Sequence, residues 1–161
     1  MNRAVDFRVA VYAGLAAGIL ATVVQIFLWY AFTDAMPEIL WRDMRFAAAI
    51  VVGRAVLPPP ASLDPGVLGV ATLVHFGLAV VYALMLGRLL SGLRTGAALV
   101  AGAVFGVCLY GVNMYGFTLV FPWFAASRDW ITAASHVVFG VAAAGAYRII
   151  SHRRSGRSSI R

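Results

Sequence analysis

Lysine is absent from this chain, cysteine occurs once, and only 12% of the residues are charged. Soluble domains carry roughly a quarter charged residues, so a chain that is also 62% hydrophobic excludes water as its main solvent. The mean hydropathy of +0.88 points the same way. The single cysteine, Cys108, lies within an apolar run and excludes both an intrachain disulfide and a cysteine-built zinc site; it reads as a small packing residue. All 13 basic residues are Arg and outnumber the 6 acids, for a net charge of +7. They sit at the ends of apolar segments, not on one folded face, which excludes a nucleic-acid partner. Arg3 and Arg8 resemble the start of a signal peptide. The apolar run after them is too long for one, and no small-x-small cleavage site follows, so the segment reads as a retained helix.

What the chain does contain is long uncharged runs. A bilayer core about 30 Å thick takes about 20 helical residues. Four runs meet that length, from about Val9 to Thr33, Val67 to Leu86, Gly96 to Phe121 and Trp130 to Tyr147. None contains a charged residue, and a helix satisfies its own backbone in lipid. The Arg residues then set the orientation, because short cytoplasmic loops retain positive charge. Arg3, Arg8, Arg88, Arg94, Arg148, Arg153, Arg154, Arg157 and Arg161 fall on one side with Asp6 as the only acid. Arg42, Arg45, Arg54 and Arg128 fall on the other, balanced by Asp34, Glu38, Asp43, Asp64 and Asp129. The first side is expected to be cytoplasmic, with both termini there, in a bacterial inner membrane. Trp29, Trp41, Trp123 and Trp130 lie near the outer span ends, as an aromatic belt would.

The first outer connection divides in two. Residues from about Pro37 to Val56 predict an interfacial helix with an apolar face of Ile39, Leu40, Phe46, Ile50 and Val51. Leu57-Pro58-Pro59-Pro60 ends it, and Asp64-Pro65-Gly66 turns the chain into the second span. The alternative is a disordered loop without membrane contact. Residues 148–161 read as a basic, Ser-rich cytoplasmic tail that contacts anionic headgroups without folding.

Spans one and three share a pattern. Gly14 and Gly18 precede Gln25, and Gly102 and Gly106 precede Asn113, with identical offsets. At 100° per residue each set lies within about 40°, a smooth stripe ending in an amide. Such stripes admit close helix approach, within the chain or between copies. Spans two and four each carry one histidine, His75 and His136, followed by small residues and a tyrosine on one face: Ala79 and Tyr82, then Gly140, Ala143 and Tyr147. The expected fold is an all-α integral membrane protein of one domain, with four transmembrane helices as two similar hairpins and an interfacial helix after the first. By helix rise, Gln25, His75, Asn113 and His136 all fall in the outer half, so one polar cluster is expected there, with Tyr110 and Tyr115 nearby.

The pattern resembles the YagU-like family of small inner membrane proteins. The residues that carry it are Gly14-Leu15-Ala16-Ala17-Gly18, Val74-His75-Phe76, Ala101-Gly102-Ala103, Pro122-Trp123, and Ser135-His136 with Phe139. The first outer connection differs in content. The resemblance implies a four-helix membrane protein without established enzymatic chemistry, in which His75 and His136 match best.

Several roles for the histidines stay open. They can be neutral and hold helices in register, though such interhelical hydrogen bonds contribute only about 0.6 kcal/mol. They can respond to external acid, since imidazole titrates near pH 6.5 and two rings in one dry cluster resist double protonation. They can ligate a b-type haem from both faces, with Gly77, Ala79, Gly140 and Ala143 making room. Transport is a further alternative, requiring an oligomer because the spans contain no ionised side chain. Hydrolysis finds no support: Ser135 and His136 point about 100° apart on a helix. The reading favoured is a non-enzymatic accessory or stress-related membrane protein without a cofactor, partnered by the bilayer and by further copies or a larger complex.

Overall fold

The structure is a computed structural model that describes residues 6–158, with side chains up to Ser151. Five α-helices run Phe7–Phe32 (α1), Glu38–Val52 (α2), Pro65–Leu89 (α3), Thr95–Gly111 (α4) and Trp130–Ser158 (α5), and no strand occurs among the described residues. Four helical segments, α1, α3, α4 with its continuation to Leu119, and α5 as far as Ser151, are long and apolar enough to cross a membrane.

Local chemistry sets the boundaries. The Asp6 carboxylate accepts from the Arg8 and Val9 amides at 3.0 and 3.2 Å and starts α1. Asp64 does the same for α3 through Gly66 and Val67 at 2.8 and 3.0 Å, with Pro65 pre-set for the first turn. Gly53 ends α2 at φ 90°, and Gly92 turns the chain between α3 and α4 at φ 82°, conformations that favour glycine. The third span is not a single regular helix. After Gly111 the backbone widens into a π-helical stretch, Val112–Gly116, and then tightens into a 3₁₀ turn, Phe117–Leu119.

α1 runs antiparallel to α3, and α4 to α5: Gly14 and Gly18 meet Ala79 and Phe76, and Gly102 and Gly106 meet Gly140 and His136. α1 packs against α3 and α5, α5 against α4, and α2 against α3. Small residues set the spacing. A Cβ on Gly14 would lie 2.8 Å from the Ala79 carbonyl oxygen, and one on Gly18 would lie 3.2 Å from the Phe76 ring. Gly102 and Gly106 press in the same way on the backbone of Gly140 and His136. Both glycine stripes are therefore used inside the chain, where backbones meet, and are not free to join copies of it.

Helix α2 is an amphipathic helix whose inner face keeps Phe46 buried and Ile39, Leu40 and Ile50 half-buried, as expected, and is wider than the expected one. Met44, Arg45, Ala48 and Ala49 are buried with Trp41 half-buried, at helical spacing against Val67 and Ala71 of α3, whereas Val51 is exposed. Arg45 is an internal anchor: its guanidinium donates to Val56 O at 3.1 Å, Ser62 O at 3.1 Å and Ser62 Oγ at 3.2 Å. These bonds fold the proline segment back onto α2. Trp29 is likewise buried and Trp123 donates to Phe46 O at 3.1 Å, so of the supposed belt only Trp130 is exposed.

Two bounds also change, and the first is that α2 stops at Val52 and not at Val56. α5 continues past Tyr147 to Ser158, with no proline to interrupt it. The expectation of an unfolded tail is thus corrected over 148–158, while Arg3 and Arg161 lie outside the described residues.

Candidate functional site

Where α1, α3, α4 and α5 converge, a cavity of about 160 Å³ remains at the centre of the bundle. Gln25, His75, Asn113 and His136 all line it, together with Thr22 and Tyr82. The four polar residues expected at one level are thus brought to one space.

They are not joined in one network. Tyr82 Oη donates to Asn113 Oδ1 at 2.8 Å, and the Asn113 amide nitrogen meets His136 Nε2 at 3.1 Å. His136 Nδ1 lies 2.8 Å from Thr132 O, one turn back on α5. A carbonyl oxygen only accepts, so Nδ1 carries the hydrogen. In the neutral ring Nε2 then accepts, and the Asn113 amide group must face it. The tautomer and the amide orientation fix each other. The Tyr110 ring packs edge-on against His136 at 5.7 Å and Tyr115 against Tyr110 at 6.0 Å, with the Arg128 guanidinium 4.5 Å from the Tyr115 centroid. Arg128 also ties the π-helical stretch to the start of α5, donating to Met114 O and Thr118 Oγ1 at 2.7 Å each.

His75 is placed differently. It is exposed, not buried, and its Nε2 lies 3.2 Å from Thr22 Oγ1 on α1. Gln25, the residue matching Asn113, sits one turn beyond Thr22 and makes no hydrogen bond among the described residues. Tyr82 and Thr22 are the members the sequence left without a role. Tyr82 lies seven positions after His75, on the same helix face, and that spacing was the available signal.

A second, larger cavity of about 400 Å³ lies between α1, α2 and α3, and Thr22, Gln25 and His75 line it as well. Its far wall includes Trp29 and Asp43. Asp43 pairs with Arg42 at 2.8 Å and accepts from Ser127 Oγ at 3.0 Å, joining α2 to the turn before α5. Burial pushes its carboxyl above the ordinary value of 3.8, against the opposing pull of Arg42 and Ser127.

The residues do not fit a haem. Cofactor pockets span about 300–1,000 Å³, whereas the space the two histidines share is about 160 Å³. Each Nε2 is already engaged, His75 by Thr22 and His136 by Asn113. No cluster of three or more metal-binding side chains occurs among the described residues. Ser135 Oγ donates to Ile131 O at 2.8 Å and makes no hydrogen bond to His136. Comparison with protein-family models, with curated proteins and with solved structures gives no match. The class defined here is therefore architectural: an all-helical chain with four segments long and apolar enough to span a membrane, and a polar cavity between them.

Proposed function

We propose that this chain is a multi-pass protein of a bacterial inner membrane, with both termini cytoplasmic, that acts as a proton-responsive accessory protein and not as an enzyme. The exterior supports insertion: Leu73, Val100, Val104, Val107 and Leu119 are all more than half exposed, a surface suited to lipid. The two glycine–amide–histidine halves and the resemblance to the YagU-like family belong to the same reading.

The Tyr82–Asn113–His136–Thr132 relay carries it. A proton on His136 Nε2 turns that atom into a donor that faces the donor side of Asn113. The amide must then rotate, offering Oδ1 to the ring and its nitrogen to Tyr82, whose hydroxyl accepts and turns its own hydrogen into the cavity. Each protonation state thus has its own satisfied arrangement, the requirement for a two-state switch. The groups facing His136 are Tyr110 of α4, His75 and Tyr82 of α3, and Asn113. None is an acid that would hold the ring charged. The cavity exceeds the about 10–15 Å³ one water needs, so protons can reach the ring through it. Haem ligation and transport gain no comparable observation.

A fluorophore on Cys108, the only cysteine, reports movement of α4 in reconstituted protein. We expect a one-proton change in emission on acidification that His136→Gln removes. Unchanged titration in His136→Gln would sink the proposal.

A further inference from the structure

We infer that Asp43 and His75 form the proton-entry route to His136, joined by water in the two cavities that His75 divides. The route rests on the proton-responsive reading of His136 and not on which face of a membrane α2 occupies. Thr22, Gln25 and His75 line both the cavity of about 160 Å³ and the cavity of about 400 Å³. The wall between the two spaces is therefore polar, with the Thr22 hydroxyl 3.2 Å from His75 Nε2. His136 lines only the smaller space and Asp43 only the larger one, and His75 is the one titratable side chain common to both linings. A proton passing from Asp43 to His136 thus meets His75 on the way. Both carriers are open to water. His75 is exposed. Asp43 uses Oδ1 for Arg42 and Ser127, which leaves Oδ2 without a partner among the described residues, and its side chain keeps 19% of its surface exposed. Each cavity exceeds the volume of one water and offers it several polar partners.

The Asp43 carboxylate takes a proton from bulk water on Oδ2 and gives it to water in the larger cavity. His75 accepts it on the ring nitrogen that lacks a hydrogen, becomes imidazolium, and releases a proton to water in the smaller cavity, from which His136 Nε2 receives it. One proton leaves the bulk and one is bound at His136, while Asp43 and His75 end as they began. The charged and titratable groups facing Asp43 are Arg42 of α2, Asp129 just before α5 and His75 of α3. Those facing His75 are Asp43 of α2 and His136 of α5, with Thr22 and the Gly18 backbone from α1. Arg42 is the only fixed cation among them and is paired, so the path carries no free positive charge to repel a proton. Burial raises the Asp43 carboxyl above its ordinary value of 3.8, which moves its proton uptake toward milder acid.

The test follows protonation of His136 itself, by rapid-mixing infrared difference spectroscopy of the full chain, ring-labelled at histidine, in detergent micelles jumped from neutral to acid pH. The His136 signal is the part that His136→Gln removes. We expect Asp43→Asn and His75→Gln each to slow it about 100-fold, the scale of one positioned proton carrier, with the final amplitude unchanged. Formate, a small acid that fits the larger cavity, restores the rate in Asp43→Asn. Glu38→Gln, at an exposed acid that lines neither cavity, leaves the rate as it is in the unaltered chain. Where circular dichroism shows one variant misfolded, the other decides. Equal rates in the unaltered chain and the variants overturn the route alone and leave His136 answering by another path. Slowing with a smaller final amplitude, or without rescue by formate, marks a structural loss and overturns it too. No His136 imidazolium at any pH at which the helices persist overturns the route together with the reading beneath it.

Discussion

At Asn113 one side chain does two jobs that nothing else in the bundle can take over. It accepts from Tyr82 and donates to His136, linking α3, the π-helical stretch and α5. Asn113→Leu removes both bonds and leaves a ring nitrogen and a phenol without partners in a half-buried place. An average interhelical hydrogen bond contributes about 0.6 kcal/mol, but stranding two polar groups costs on the order of 1–2 kcal/mol. Tyr82→Phe strands only the amide oxygen, which cavity water can reach, so its cost should stay near 0.5 kcal/mol. Denaturant titration in micelles separates the two; equal losses would mean that Asn113 acts only through Tyr82. That the amide and the histidine share a level is legible from helix rise. That Thr22 and not Gln25 meets His75 is not, because the choice depends on a shift of one turn between α1 and α3. Composition cannot set that shift; the fit of Gly14 and Gly18 against Ala79 and Phe76 does.

At the scale of the helices, the glycines divide by what lies opposite them. Gly106 faces the backbone of His136 and Val137, with a Cβ position 2.7 Å from the Val137 Cα, whereas Gly77 has nothing within 4 Å. Gly106→Ala must push α4 from α5 and should cost about 1–3 kcal/mol, disturbing the His136 relay with it. Gly77→Ala should be neutral or mildly stabilising, since alanine is the better helix former. Thermal melts of the two variants check the contrast. Asp43 tests α2. Its carboxyl is raised in the folded chain, so the fold holds that proton more tightly than the unfolded chain does. Stability from this group is full below pH 3.8 and is lost as pH rises through the higher folded value. Asp43→Asn should remove that pH dependence and keep or raise the melting temperature at pH 7, where a marked loss would show that the Arg42 pair outweighs burial. The four long helices were legible because each is an uncharged run bounded by Arg, Asp or Pro. The burial of Arg45 on α2 was not, because it reads as a surface charge until Val56 and Ser62 carbonyls are folded over it.

For the whole molecule, the two ends of the bundle treat their charges differently, and that bears on orientation. At the end where α1 stops and α5 begins, Arg42 pairs with Asp43, Arg45 is bound by carbonyls, and Arg128 is held by Met114, Thr118 and Tyr115, which leaves Arg54 as the one exposed Arg there whose side chain has no partner among the described residues. At the other end Arg88 and Arg94 are exposed and have no partner among the described residues. Charges absorbed by the fold are poor topological signals, whereas free ones next to a span are strong, so the unpaired end should be retained in the cytoplasm. Alkaline phosphatase fused after Ser62 should then be active and after Arg161 inactive, with a fluorescent-protein fusion giving the reverse. Replacing both Arg88 and Arg94 by Glu should produce mixed orientation. The opposite fusion pattern would place α2 and both cavities toward the cytoplasm, and the His136 relay would then answer to internal and not external acid.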